Sequence, residues 1–333
     1  MNHNKFMLKA IEVARNGEGL TCPNPPVGAV LVENDIVVAE GWHEKSKLMH
    51  AEVVCIKNYS GKDISKCTLY ITLEPCSTHG DTPPCSDLIL KSGIKKVVIA
   101  VVDPNPSHNG KAVKMLEDVG IDVTLDVCKS EALDLIDPFR KRILTGLPYI
   151  TLKMAITLDG KIADMNGNSK WISSEESRDY VHSLRRKVDA IMVGSNTINI
   201  DNPSLLPRPM QNRFPWRIII GKNINKAATV LTDEFSEKTL IKSGNLKTIL
   251  QDLSYEKKIM HILCEGGGIL ATNLIKEKLV DKLILFISPK LLGLDGISWF
   301  NIDNINIDDV FNMKNVSYEQ IGNDIMMTSK LEN

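Results

Sequence analysis

Residues 68–91 read TLYITLEPCSTHGDTPPCSDLILK. A run of strand length leads into a loop broken by Gly and Pro, and an apolar pattern at helical spacing follows. Strand, loop and helix in that order point to a crossover unit of an α/β domain. Working outward, the pattern predicts strands at 27–32, 36–40, 68–73, 97–102 and 122–125, with helices at 51–58, 85–91, 111–119 and 131–144. Gly93 and Gly120 fall where helix ends favour a left-handed residue. The last helical run stops at Thr145-Gly146-Leu147-Pro148, so a domain boundary is expected there, dividing the chain into 1–146 and 147–333.

The second half is α/β as well. Strands are expected at 149–156, where an edge-to-core strand runs into an Asp-Gly turn, and at 190–193, 217–220, 259–263 and 283–287; helices are expected at 174–186 and 269–278. Residues 201–215 hold four prolines among polar residues and read as a surface loop. No internal repeat or low-complexity tract is visible.

With 333 residues and 43% hydrophobic content the chain is long enough for two cores. Its 40 basic and 41 acidic side chains leave a formal charge of -1, which argues against bulk-charge binding to nucleic acid. Seven cysteines, odd in number and irregularly spaced, suit a reducing cytosol better than a disulfide framework. Residues 1–20 show no signal-peptide pattern, and no apolar run approaches the roughly 20 residues of a membrane helix. A cytoplasmic protein is expected.

The chemistry concentrates in two constellations. His50-Ala51-Glu52 opens a predicted helix, while Cys76 follows a proline and Cys85 opens another helix. One imidazole and two thiolates suit Zn²⁺, and three protein ligands leave a fourth position for water. Zinc lowers the pKa of bound water, and a carboxylate beside the site can carry a proton to a leaving amine. His-x-Glu followed by Pro-Cys-x-x-Cys marks zinc nucleobase deaminases, with Glu as acid/base; here eight residues, not two, lie between the cysteines. Taken singly, each residue has an ordinary reading as a helix cap, solvated acid or buried thiol; together they do not. Cys22, Cys55, Cys67, Cys128 and Cys264 read as packing residues. His79 stays open between substrate contact, fourth ligand and solvated loop residue.

Beyond these residues, Asn24-Pro25-Pro26-Val27-Gly28-Ala29-Val30, Gly41-Trp42-His43, Thr72-Leu73-Glu74-Pro75-Cys76, Thr82-Pro83-Pro84-Cys85 and Asp103-Pro104-Asn105-Pro106 resemble the bacterial RibD-type family, in which a pyrimidine deaminase is fused to a reductase. The resemblance implies a cytidine-deaminase-like three-layer domain followed by a dihydrofolate-reductase-like domain. It places Zn²⁺ on His50, Cys76 and Cys85, makes Glu52 catalytic, and puts Asn24 and His43 in the substrate pocket. Departures from the family pattern are Thr78, Asp81, Ser46-Lys47 and Ala112. A carboxylate at Asp81 repels a phosphorylated substrate, so these changes bear on phosphate recognition more than on zinc; Lys47 is a candidate to compensate.

The second constellation runs through Lys153, Ala155, Ser169, Trp171, His182-Ser183-Leu184-Arg185, Thr197, Asp201, Leu205 and Arg208 to Glu265-Gly266-Gly267-Gly268. Glycines between a strand and a helix let backbone N–H groups approach an anion, although this is not the Gly-x-Gly-x-x-Gly of a Rossmann unit. The family resemblance, from about Phe6 to about Lys330, implies NADPH at Ala155, Trp171, Thr197, Asp201, Gly267 and Gly268. It implies the ribosyl phosphate substrate at Lys153, Ser169, Arg185, Leu205, Arg208 and Glu265. By themselves, Trp171 reads equally as a cofactor platform or core filler, and Asp201 as a proton carrier or turn cap. Thr157 replaces a usual Ser and keeps its hydroxyl.

The expected function is a two-step enzyme of riboflavin biosynthesis. It hydrolyses the 2-amino group of 2,5-diamino-6-(5-phosphoribosylamino)pyrimidin-4(3H)-one to 5-amino-6-(5-phosphoribosylamino)uracil, then reduces ribosyl to ribityl with NADPH. The partners expected are this small molecule and further copies of the chain, with neither nucleic acid nor membrane. Three alternatives stand beside it: a reductase whose deaminase half is impaired by Thr78 and Asp81, a nucleic-acid (tRNA) deaminase, and a non-catalytic zinc scaffold.

Overall fold

The computed structural model describes residues 2–46, 48–78, 84–210, 214–303 and 305–331. The chain divides into two compact units, Met1–Gly146 and Leu147–Asn333.

The first unit contains, in order, α1 (His3–Ala14), β1 (Gly28–Glu33), β2 (Ile36–Trp42), α2 (Ala51–Asn58), β3 (Thr68–Ile71), α3 (Cys85–Ser92), β4 (Lys96–Ile99), α4 (Lys111–Asp118), β5 (Asp122–Leu125) and α5 (Lys129–Thr145). Five strands form one sheet in the order β2-β1-β3-β4-β5. β1 runs antiparallel to β2 and β3, and β3, β4 and β5 are mutually parallel. Because strand side chains alternate between faces, Val30, Val32, Tyr70 and Val98 join Phe6 and Ile11 of α1 and Ile136 of α5 in one core. Ala29, Leu31, Leu69, Ile71, Val97 and Ile99 join Cys55 of α2, Ile89 of α3 and Leu116 of α4 in another. A fully buried side chain of this kind contributes roughly 1.5–3 kcal/mol. The result is the expected three-layer unit.

The second unit contains β6 (Tyr149–Thr157), β7 (Lys161–Ala163), α6 (Glu175–Arg186), β8 (Ala190–Gly194), α7 (Ser195–Asp201), β9 (Trp216–Ile220), α8 (Thr229–Thr232), β10 (Thr239–Lys242), α9 (Leu246–Glu256), β11 (His261–Cys264), α10 (Gly268–Lys276), β12 (Lys282–Ser288), β13 (Ile297–Ser298), β14 (Met313–Ile321) and β15 (Asp324–Leu331). Its eight-stranded sheet has the order β10-β9-β8-β11-β6-β12-β15-β14. The first six are parallel neighbours, and β15 and β14 close the series antiparallel. Strand β6 therefore lies inside the sheet between β11 and β12, where the sequence suggested an edge-to-core strand. Its alternation decides what each face carries. Ile150, Leu152, Met154 and Ile156 enter the core made with α9 and α10. Thr151, Lys153, Ala155 and Thr157 point to the other face, where Val181 of α6 packs with Phe286.

The sequence missed α1, α9, the β14–β15 hairpin and the short elements β7, α7, α8, β10 and β13. Strand β14 explains itself, since nearly every residue along it is exposed and no alternation marks it. Helix α5 continues through Pro138. Among the described residues no helix is long and apolar enough to cross a membrane.

Candidate functional site

In the first unit, His50 is the N-cap of α2, Glu52 lies in that helix's first turn, and Cys85 is the first residue of α3. β2 and α2 come close enough that a Cβ on Gly41 would collide with the backbone of Ala51 and Cys55. That approach brings His43, just past β2, against the start of α2. The ligand atoms of His50, Cys76 and Cys85 lie within 4.8 Å of one another. His50 Nδ1 is 3.6 Å from Cys76 Sγ and 3.3 Å from Cys85 Sγ, and ligands around a tetrahedral zinc stand about 3.6 Å apart. The donor set and its spacing fit Zn²⁺.

The electrostatics agree with that fit. Cys76 accepts a hydrogen bond from the Cys85 backbone N–H at 3.2 Å. The Cys85 thiol and His50 hold the Cys76 thiol well below its ordinary range, and in return the Cys85 thiol is raised. The bond to Cys76 raises His50. Glu52 is 3% exposed. Burial raises its carboxyl, as a proton carrier near neutrality requires. The His43 ring meets that of His50 edge-on at 5.2 Å. Its Nδ1 lies 3.1 Å from the Met49 carbonyl and its Nε2 3.4 Å from Asn24 Nδ2. Donating at Nδ1 leaves Nε2 as an acceptor, and burial, the leading cause, keeps the ring neutral by lowering its pKa.

Asn24 and His43, expected in the pocket, thus stand together beside the metal-ligand set. Of the departures, Thr78 is exposed and Ser46 half-buried. Ala112 is fully buried in the first turn of α4. Lys47, His79, Asp81, Thr82 and Pro83 lie outside the described residues. Cys55, Cys67 and Cys264 are buried, and Cys22 and Cys128 are half-buried.

In the second unit, Arg185 of α6 grips Glu265 beyond β11, with Nε 2.6 Å from Oε1 and Nη2 2.9 Å from Oε2. Lys153 Nζ stands 3.9 Å from the same carboxylate. Burial opposes the charge on Glu265, but the Arg185 guanidinium wins and holds the carboxyl below its usual range. Burial lowers Lys153, against the pull of Glu265. Arg185 Nη1 donates to the Leu206 carbonyl at 3.0 Å. The Leu205 side chain is buried, and its backbone is left-handed at φ 55°. The carbonyl of Arg208 accepts from Arg186 Nη1 at 2.6 Å.

Of the residues expected at the cofactor, Thr197 and Gly267 come together. Gly267, with φ 28°, caps α10, and a Cβ there would come within 3.4 Å of Thr197 Oγ1. A Cβ on Gly268 would press to 2.9 Å on the Ser298 carbonyl, so the backbone of 298–299 passes close over this helix start. Ser169 Oγ donates to Asp201 Oδ1 at 2.9 Å. Trp171 is 63% exposed, with the Arg178 guanidinium 4.5 Å from its ring centre; it does not fill core. Ala155 is half-buried on β6. Two residues received no role from the sequence. His182 is lowered by burial and then by the charges of Arg185 and Arg208. Glu74 is 4% exposed beside Pro75-Cys76. Its role lies in bonds to distant backbone, which no local pattern announces.

A metal-ligand set with a buried acid in one α/β unit, and a glycine-rich helix start beside an ion cluster in a mostly parallel sheet, define a zinc-dependent deaminase joined to a dihydrofolate-reductase-like reductase. Residues 1–101 match the cytidine and deoxycytidylate deaminase zinc-binding region, and residues 148–327 match the RibD C-terminal domain. The riboflavin biosynthesis protein RibD of Aquifex aeolicus is 40% identical, covering 98% of this chain and 97% of that protein. The Escherichia coli RibD is 37% identical over 89% and 90%. The Acinetobacter baumannii RibD structure superposes with a TM-score of 0.91 at 33% identity, covering 99% of both chains. A Thermotoga maritima diaminohydroxyphosphoribosylaminopyrimidine deaminase/5-amino-6-(5-phosphoribosylamino)uracil reductase does so at 0.88 and 33%, again over 99% of both. The chain belongs to the RibD family, the bifunctional deaminase/reductases of riboflavin biosynthesis, with zinc and NADPH as cofactors.

Proposed function

We propose that this chain converts 2,5-diamino-6-(5-phosphoribosylamino)pyrimidin-4(3H)-one to 5-amino-6-(5-phosphoribosylamino)uracil in its first unit and reduces the ribosyl group to ribityl in its second. The observation that carries the proposal is the meeting of His50, Cys76 and Cys85 beside a buried Glu52, on the same chain as the Lys153–Glu265–Arg185 cluster.

His50, Cys76 and Cys85 would hold zinc, which when bound would supply an activated water. Asn24 and His43 orient the pyrimidine ring. Glu52, its carboxyl pKa raised by burial, is suited to hold a proton and pass it to the departing amine. In the second unit NADPH, when bound, would supply the hydride for the anomeric carbon. Ala155, Trp171, Thr197, Asp201, Gly267 and Gly268 bind the cofactor, with Trp171 offering an exposed ring face. Lys153, Ser169, Arg185, Leu205, Arg208 and Glu265 bind the ribosyl phosphate. The guanidinium groups suit phosphate oxygens, and Lys153 and Glu265 suit sugar hydroxyls.

The intact metal-ligand set supports a working deaminase over the reductase-only alternative. A formal charge of -1 supports a small-molecule substrate over nucleic acid, and the thiol cysteines suit the cytoplasm. By family likeness we take the protein to act as a homo-oligomer. Separate assays of the two half-reactions test the division of labour. Glu52→Gln should slow ammonia release by about 10²–10⁴-fold while NADPH is still consumed with the deaminated intermediate. Loss of both activities in that variant would contradict it.

A further inference from the structure

We infer that Glu74 is a positioning residue of the deaminase centre, a single buried carboxylate that fixes the Cys76 segment against the loop and helix at 103–113. The inference rests on the deaminase function proposed above. Oε2 accepts from the backbone N–H groups of Asp103 and Gly110, both at 2.9 Å. Oε1 accepts from Ala112 at 2.9 Å and Val113 at 3.3 Å. A carboxylate offers about four acceptor positions, and here four backbone donors take them.

Two of those donors, Ala112 and Val113, belong to the first turn of α4, whose own N-cap, Gly110, has no side chain to offer. The first N–H groups of a helix have no partner within it, and the positive end of its dipole favours an anion. Glu74 caps the helix from another strand connection. Its own backbone N–H donates to the Val101 carbonyl at 2.8 Å, fastening the segment to the chain just past β4. Two residues on, Cys76 is held from the other side, by the Cys85 N–H on its sulfur and by the Ser86 N–H on its carbonyl at 3.2 Å. Cys76 thus sits between two clamps, one of which is Glu74.

The chemistry specifies a carboxylate. Glutamine has nearly the same shape, but its NH₂ would face two N–H donors, so Glu74→Gln removes two acceptors and sets donor against donor. Removing groups that orient metal ligands costs about 10–100-fold in metal affinity or activity.

The test compares wild-type protein and Glu74→Gln as full-length, zinc-loaded chains. Zinc transfer to a chromophoric chelator is followed alongside deaminase kcat and KM, with the reductase rate on the deaminated intermediate as a folding control within the same molecule. Expected are at least about 10-fold weaker zinc retention and an equal or larger fall in deaminase kcat, with KM within about 2-fold and the reductase rate unchanged. Zinc retention and kcat equal to wild type would overturn the inference. So would a parallel loss of both activities, which would make Glu74 merely a folding requirement. If wild-type protein holds zinc and releases no ammonia, the deaminase function fails, and the zinc comparison still decides for or against Glu74.

Discussion

Arg185 and Glu265 form a two-pronged ion pair, 2.6 and 2.9 Å long, that ties α6 to the turn after β11 and leaves both side chains largely out of water. Arg185 also donates to the Leu206 carbonyl, so one guanidinium fixes the acid and the loop of residues 204–208. Lys153 shares the same carboxylate. Glu265→Gln would leave two buried cations facing each other. Removing one partner of a buried pair costs about 3–5 kcal/mol, and urea unfolding should show a loss of that order. The reductase KM for the ribosyl phosphate should rise at the same time. A variant as stable as wild type would mean that the pair is not buried in solution.

Glu52→Gln keeps the shape of the side chain and removes its proton transfer. General acid–base catalysis contributes about 10²–10⁴-fold, so deaminase kcat should fall within that range. Zinc content, measured by atomic emission, should stay at wild-type level because Glu52 is not one of the gathered ligands.

Metal removal should separate the halves. Dialysis against a strong chelator should abolish ammonia release, leave NADPH oxidation on the deaminated intermediate intact, and be reversed by added zinc. Folded-state binding also stabilises by mass action, so the stripped protein should melt at lower temperature.

His261 predicts a pH dependence of stability. Its Nε2 is 2.9 Å from Thr151 Oγ1, Tyr149 meets it edge-on, and burial pushes its pKa down to about 4. The unfolded ring titrates near about 6.5. Between those values the unfolded chain binds the extra proton, so the stability contribution is present above about pH 6.5 and is lost as pH falls towards 4. The full window amounts to roughly 3 kcal/mol. The melting temperature of wild type should therefore fall further than that of His261→Gln between pH 7 and pH 4.5. Equal slopes would remove His261 as the cause.

Much of the metal site was legible because its chemistry restricts residue types. One imidazole, two sulfurs and an acid in helix-start and loop positions leave few other uses. The α/β organisation was legible where buried strands carry runs such as Val97–Ile99, which lies in the core. Strand β14, exposed along nearly all its length, offered no such run. The roles expected of Lys153 and Glu265 came from family likeness, because two residues so far apart in sequence meet only through the pairing of β6 with β11. Glu74 was quoted within a motif, yet its partners are backbone N–H groups at 103–113, which no side-chain pattern encodes.

Whether one chain performs both steps is decided by following ammonia release and NADPH oxidation together on zinc-loaded protein supplied with the diamino pyrimidine phosphate alone. Both products are expected in equal amounts, because each deaminated molecule becomes substrate for the second unit. NADPH oxidation only when the deaminated intermediate is added, with no ammonia from the first substrate, would contradict it.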